Sequence, residues 1–219
     1  MEAPSRKRNF LRGLDKQGEA RTARGWRWLW WFIWEDNSIW SWLVNIALAF
    51  VLIKFIIYPG LGALLGTGYP IVAVVSSSME HPGGFEQWWS NQCPAGKQSE
   101  LYSKYGITPE DFATFPFTNG FDKGDVMILR SPKELAVGDI LVFWAENRVE
   151  PIIHRIVQVK ETPNGKEYYT KGDRNCGSAA FEQGITGKRM IGKALFRLPL
   201  LGWIKIGFVT LLSEIGVMN

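Results

Sequence analysis

Pro151-Ile-Ile-His-Arg-Ile-Val-Gln-Val-Lys160, then Glu161-Thr-Pro-Asn-Gly165, then Lys166-Glu-Tyr-Tyr-Thr-Lys171-Gly-Asp173 is the stretch on which the fold turns. Two runs rich in β-branched and aromatic residues flank Asn164-Gly165, a pair that favours a tight hairpin, so residues 152–160 and 167–171 are expected to pair antiparallel. Further runs of the same kind occur at 71–75, 126–129 and 139–144. Gly124-Asp125, Gly138-Asp139 and Gly172-Asp173 punctuate them as turns. The expected fold is therefore mainly β, an antiparallel sheet or small barrel. Residues 83–122 break the pattern. There Thr108-Pro109-Glu110-Asp111 reads as an N-cap, a proline at the first helical position and an acidic first turn, which marks a partly helical insertion.

Ahead of this domain the chain changes character. Seven of its 11 Trp residues, Trp26, Trp28, Trp30, Trp31, Trp34, Trp40 and Trp42, crowd the approach to its most apolar segment. Indole rings settle at the headgroup level of a bilayer, so the crowding reads as an interfacial belt. Residues 39–57, interrupted only by Asn45 and Lys54, match the roughly 20 residues a helix needs to cross hydrocarbon. Pro59-Gly60 is expected to end that helix. More than twenty residues rich in Arg and Lys precede it, unlike the short leader of a cleaved signal peptide, so the segment is expected to be retained as an anchor. Arg6, Lys7, Arg8, Arg12, Lys16, Arg21, Arg24 and Arg27 outnumber the acidic residues there, which predicts a cytoplasmic N-terminus, a single span and an extracytoplasmic domain.

The expected division is a basic, Trp-rich segment at 1–38, an anchor and linker at 39–66, the extracytoplasmic domain at 67–199 with its insertion at 83–122, and an apolar tail at 200–219. Lys205 and Glu214 make the tail poor as a second span, so it is expected to pack on the domain or lie at the membrane interface. The net charge of +4 arises largely beside the span, and no zinc finger or RNP motif accompanies it. Anionic lipid, not nucleic acid, is the partner expected for that charge. Cys93 and Cys176 both fall in the exterior part, where a disulfide is permitted. With no CxxC or Cys/His spacing to read, two free thiols are the expectation from sequence, and neither a metal nor any other cofactor is indicated.

The chemistry centres on Ile71-Val-Ala-Val-Val-Ser-Ser-Ser-Met-Glu-His-Pro82, three hydroxyls at the end of an apolar run. A serine nucleophile needs an adjacent base, usually His or Lys, and donors for the oxyanion that develops on the attacked carbonyl. The chain has two histidines. His81 lies too near Ser78 in sequence to reach back to it. His154 sits within a strand, on one face with Ile152 and Ile156, and is the better base.

Taken in order, Ser78-Met79 after an apolar strand, Lys123-Gly-Asp-Val126, Glu134-Leu-Ala-Val-Gly-Asp-Ile140, Pro151-Ile-Ile-His-Arg155 and Tyr169-Thr-Lys-Gly-Asp173 resemble the boxes of the type I signal peptidases. A histidine where the bacterial members carry lysine is similar to the archaeal and endoplasmic-reticulum branch. The resemblance spans residues 69–201 apart from the insertion. It implies a membrane-anchored serine endopeptidase that cuts signal peptides from exported preproteins after small residues, at the cell membrane and beside the protein-export channel. It further implies Ser78 as nucleophile, His154 as general base, and Ser76 with the Ser78 backbone N–H as the oxyanion hole. Met79 is expected to line the substrate groove. Activity should fall in acid as His154 takes up a proton.

Three departures stand out. Ser77 replaces the family's glycine between the two serines, His81 is inserted before Pro82, and the acidic residues expected soon after Lys-Gly-Asp are replaced by Arg174-Asn-Cys-Gly-Ser-Ala-Ala180. Asp173 is the nearest remaining carboxylate and is expected to orient His154, with Glu182 in reserve. The missing acid also motivates a second reading, a catalytically inactive anchored scaffold that binds partners through its insertion. A self-cleaving serine–lysine regulator is a third, which the histidine at the base position argues against.

Overall fold

The computed structural model describes residues 19–146 and 148–214. Arg6, Lys7, Arg8, Arg12 and Lys16, on which the orientation was read, lie outside the described residues, as does the end of the tail at 215–219. The chain divides into two compact units at Tyr58/Pro59.

In the first unit, α1 (Glu19–Trp34) carries five of the seven clustered tryptophans, and α2 (Ile39–Leu52) carries Trp40 and Trp42 and begins the apolar helix. Ser38 caps α2 by accepting a hydrogen bond from the Ser41 N–H at 3.2 Å. The polar residues of α2 have partners on α1. The Ser41 hydroxyl donates to the Phe32 carbonyl at 2.6 Å, and the Asn45 amide donates to Ile33 at 2.9 Å. They thus satisfy carbonyls that the last turn of any helix leaves without a donor. Asn45, an interruption when read from sequence, holds the Trp-rich helix to the start of the apolar one.

The apolar helix does not stop at Pro59-Gly60. It passes through a π-helical turn (Ile53–Ile57), in which the Tyr58 N–H reaches back to the Ile53 carbonyl, and continues as α3 (Tyr58–Leu65). A proline lacks the N–H and crowds the carbonyl of the preceding turn; the wider π turn makes room for it. The run Ile39–Leu65 has 27 residues, and its most apolar window has no buried residues. It is long and apolar enough to cross a membrane.

The second unit is built on one antiparallel sheet of six strands in the order β1-β4-β8-β5-β6-β7. These are β1 (Ile71–Ala73), β4 (Val126–Arg130), β5 (Ile140–Phe143), β6 (Ile152–Thr162), β7 (Gly165–Lys171) and β8 (Met190–Leu198). The expected hairpin is present: Thr162 pairs with Gly165 across Pro163-Asn164, and Gly165 takes a φ of 113° that suits only glycine. Register shifts at Ile128/Leu129, Val142/Phe143 and Ile156/Gln158 bend the strands, which curls the sheet into a half-barrel.

The sheet is covered on both sides, which is why every residue of β5 is buried. Ile140 and Val142 pack on one face with Val74, Met79, Phe121, Met127 and Ile153. Leu141 and Phe143 pack on the other with Ile152, Ile156, Tyr168 and Ile185. This is the alternation a pleated strand imposes. The insertion holds α4 (Gly84–Trp89), a short ribbon of β2 (Gln92–Cys93) and β3 (Gly96–Lys97), α5 (Gln98–Ser103) and α6 (Pro109–Ala113). Thr108 is the expected N-cap of α6, and with Asp111 it forms a capping box. An aromatic cluster of Trp88, Tyr102 and Phe112 seats the insertion on Val157 and Tyr169 of the hairpin.

Alternation along β6 turns His154 and Arg155 to opposite sides, and Arg155 becomes the centre of a buried network. Its guanidinium donates through Nη2 and Nε to Asp173 at 2.8 and 3.0 Å, to the carbonyls of Pro116, Phe117 and Gly138, and lies 4.5 Å from the centre of the Phe112 ring. Asp173 also accepts from Tyr102 Oη at 2.7 Å and meets His81 Nε2 at 2.9 Å. The His81 ring stacks flat on Trp88, with centroids 3.7 Å apart. Burial alone would push the Asp173 carboxyl up, but the Arg155 charge and the His81 hydrogen bond outweigh it and hold this group well below the usual carboxylate range. Burial and the neighbouring Asp173 charge push the Tyr102 phenol up, so it stays a donor.

A carboxylate whose proton affinity is lowered by folding contributes stability at neutral pH that is lost as pH falls below about 4, where an unfolded aspartate takes up its proton. Asp173→Asn should therefore flatten the acid limb of an unfolding-versus-pH profile. At pH 7 it should cost about 3–5 kcal/mol, because Arg155 remains buried and charged without its partner. Thermal unfolding of the two proteins across pH 3–7 reads both effects.

Candidate active site

The end of β1 with the serine segment that follows it, and the start of β6, form the walls of an open cleft of about 630 Å³. Ala73, Val75, Ser76 and Ser78 line one side, Ile152, Ile153 and His154 another, and residues 148–151 with Asn175 and Phe181 complete the rim. The chain leaves β1 in extended form and turns sharply after Ser78. The turn is tied down on both flanks: the Ser78 carbonyl accepts from the Arg174 N–H at 2.8 Å, and Phe121 N–H donates to the Met79 carbonyl at 3.1 Å.

Ser78 Oγ lies 3.0 Å from His154 Nε2. The other ring nitrogen, Nδ1, is hydrogen-bonded to Glu182 Oε1. Glu182 is almost wholly buried, and its second oxygen accepts from the Ala179 N–H at 2.6 Å. With its Nδ1 proton donated to the carboxylate, the imidazole keeps the Nε2 lone pair for the serine hydroxyl. A hydroxyl, an imidazole and a carboxylate in this order can draw the proton from the hydroxyl as it attacks a carbonyl. Ser76 Oγ stands 3.1 Å from Ser78 Oγ, on the open side of the cleft.

Gly172 leaves the space in which His154 works. A side chain there would begin 2.8 Å from His154 Nε2 and 2.6 Å from the Asn175 amide. Its neighbours in the Tyr169-Thr-Lys-Gly-Asp173 box face away from the cleft. The Lys171 ammonium is buried, donates to Gln98 Oε1 and to the carbonyls of Gly172 and Asp173, and is pushed down by burial to about 8. With those partners it does not act as the base a serine–lysine enzyme would need.

Two of the expected site residues are not where the sequence reading put them. Asp173 is held by Arg155, His81 and Tyr102 and does not orient His154; Glu182, the reserve, occupies that place. The physical reason is where β7 stops: Lys171 pairs with Arg155 as the last residue of the strand, and the turn that follows leaves Asp173 beside Arg155, which alternation has turned away from His154. Met79 is also absent from the cleft. It is fully buried in the core, where its sulfur accepts from the Asp173 N–H at 3.3 Å. The two cysteines, expected as free thiols, form a disulfide with Cα atoms 5.5 Å apart. Sequence spacing carried no sign of that approach, since 83 positions separate the pair. Among the described residues no group of three or more His, Cys, Asp or Glu converges as a metal site would require.

The chain matches no family model. Among curated proteins, the signal peptidase complex catalytic subunit SEC11C of Homo sapiens is 30% identical over 158 residues, 68% of this chain and 62% of its own length. The catalytic subunit SEC11 of Scheffersomyces stipitis is 27% identical over 169 residues, 74% of this chain and 79% of its own. That of Yarrowia lipolytica is 26% identical over 160 residues, 70% and 71% of the two chains. The chain thus spans less than two thirds of the SEC11C sequence. Together with the ordered boxes quoted above, these likenesses make the chain a relative of the catalytic subunits of the signal peptidase complex, type I signal peptidases of the endoplasmic-reticulum kind.

Proposed function

We propose that the protein is a membrane-anchored serine endopeptidase that removes signal peptides from exported preproteins. The observation that carries this reading is the line from Ser78 Oγ through His154 to Glu182, set in an open cleft. In the proposed mechanism His154 takes the Ser78 proton as Oγ attacks the scissile carbonyl, Glu182 stabilises the imidazolium, and His154 then protonates the leaving amine. The Ser78 N–H, with the Ser76 hydroxyl beside it, is proposed to hold the oxyanion. A preprotein segment lying extended along the β1 side of the cleft would gain main-chain hydrogen bonds, which gives affinity without much dependence on sequence. Small residues ahead of the cut are in keeping with Ala73 and Val75 on that wall.

The helix Ile39–Leu65 is proposed as the single anchor and Trp26–Trp34 as its interfacial belt, with the N-terminus cytoplasmic and residues 67–199 on the far side, close to the export channel. Lipid is then the partner of the basic segment, and the described part of the tail, 200–214, is read as packed on the domain at its start and interfacial beyond. In support, the Gly202 N–H donates to the Gly124 carbonyl at 2.7 Å, while Ile204 and Phe208 stand exposed. The scaffold alternative, motivated by the acid missing soon after Lys-Gly-Asp, predicts no cleavage by either the wild type or Ser78→Ala.

The deciding experiment is cleavage of a preprotein by the full-length protein in detergent, the cut site being read by mass spectrometry. Ser78→Ala and His154→Ala should each abolish a single cut after a small residue; cleavage that survives Ser78→Ala would refute the nucleophile. Glu182→Gln should lower kcat on the order of 10³–10⁴-fold, as loss of the acid does in other serine triads. Gly172→Ala, by crowding His154 Nε2, should lower kcat about 10²-fold with the fold retained, which circular dichroism would verify.

A further inference from the structure

Residues 172–182 carry Glu182 to His154, yet they contain no strand and only one 3₁₀ turn, Ala180–Glu182. Ordering a segment with so few ladder hydrogen bonds costs about 1–2 kcal/mol per residue in backbone entropy, so its course has to be imposed from outside. The insertion supplies most of what imposes it. Trp88 Nε1 on α4 donates to the Asp173 carbonyl at 3.0 Å, Gln98 Nε2 at the start of α5 donates to the carbonyls of Arg174 and Asn175 at 3.3 and 3.2 Å, and Cys93 on β2 is bonded to Cys176. Four successive residues, 173–176, are therefore gripped by elements of the insertion. At the far end Arg189 donates to the carbonyls of Phe181 and Trp144, which fastens the 3₁₀ turn to the end of β5. Gln98 is fully buried, and its other amide atom accepts from Lys171 at 2.8 Å, so both ends of its side chain are engaged.

On the peptidase reading above, we propose that the insertion is the device that positions the acid. Through the Cys93–Cys176 disulfide and the Gln98 amide it holds residues 172–182 in the course that keeps Glu182 against His154. Cys93, Cys176 and Gln98 are thus positioning residues for the reaction, acting through Glu182 and touching no substrate. The chain lacks the acidic residues its family places soon after Lys-Gly-Asp; an acid delivered from farther along a strandless segment needs such a grip.

The test compares the full-length wild type with Cys93→Ser/Cys176→Ser and with Gln98→Met, each made also in the Glu182→Gln background. The readouts are kcat and KM on a preprotein and amide exchange by mass spectrometry. Expected are a fall in kcat of about 10²-fold, the scale of a misplacement near 1 Å, with KM changed less than about twofold. Exchange should rise over residues 172–182 while β5 and β6 stay protected. In the Glu182→Gln background either change should cost no more than about twofold, because the group being positioned is already gone. Unchanged exchange over 172–182, or an equal loss of kcat with and without the Glu182 carboxylate, would overturn the proposal. So would a loss of protection in β5 and β6 in the Gln98→Met protein, which retains the disulfide, since the insertion would then be holding the sheet and not the acid. If the wild type cuts no preprotein, the peptidase reading is what falls, and exchange over 172–182 alone decides whether the insertion holds the segment.

Discussion

The buried contact between Arg155 and Asp173 is the constraint on which the rest of the domain depends. A guanidinium taken out of water has to be surrounded by acceptors, and this one recruits a carboxylate from the end of β7 and carbonyls from the loop that closes the insertion and from the turn before β5. Those elements are distant in sequence and are brought to one point by the need to satisfy one charge. The effect reaches the cleft on both sides. Arg155 is the chain neighbour of His154, and Asp173 holds His81, which lies just beyond the turn that presents Ser78. His154 and Ser78 are thus fixed relative to each other by an interaction that neither of them makes.

Much of this architecture can be read from sequence because it rests on local pattern. The strands around His154, the hairpin at Asn164-Gly165 and the N-cap at Thr108 all follow from periodicity or turn chemistry, and each is present. β8 was not recognised, although it lies in the middle of the sheet between β4 and β5. Its sequence, Met190-Ile-Gly-Lys-Ala-Leu-Phe-Arg-Leu198, mixes a glycine with residues that suit a helix as well, and only the neighbouring strands decide its conformation. Gly192 is there because a side chain would begin 2.9 Å from the Arg130 carbonyl, a close approach that exists only once the sheet is assembled.

The site was legible in the same uneven way. His154 stands on a strand whose direction is set by alternation, and Ser78 lies in the turn a few residues beyond β1, so their meeting rests on the sheet and on one local turn. The carboxylate does not stand on a regular element. Proximity in sequence favoured Asp173, but the turn after β7 sends that residue to Arg155, and a residue nine positions later takes the place at His154. The disulfide was missed for a related reason: its two ends belong to the insertion and to the segment after β7, and nothing local to either cysteine records that they meet. Pro59 misled in the opposite direction. Its chemistry was read correctly as hostile to a helix, and a single π turn accommodates it.

The way the carboxylate arrives bears on how inactive relatives are recognised. Where an acid is carried on a strand, its spacing from neighbouring motif residues is rigid, and a gap at that spacing is fair grounds for suspecting a dead enzyme. Here the carboxylate comes at the end of an irregular excursion, Ala180–Glu182, whose length the sheet does not dictate. A census of motif positions would overlook the carboxylate that the folded molecule places against His154. For chains of this kind, the absence of a residue from its customary column carries little weight until the path of the intervening backbone is known.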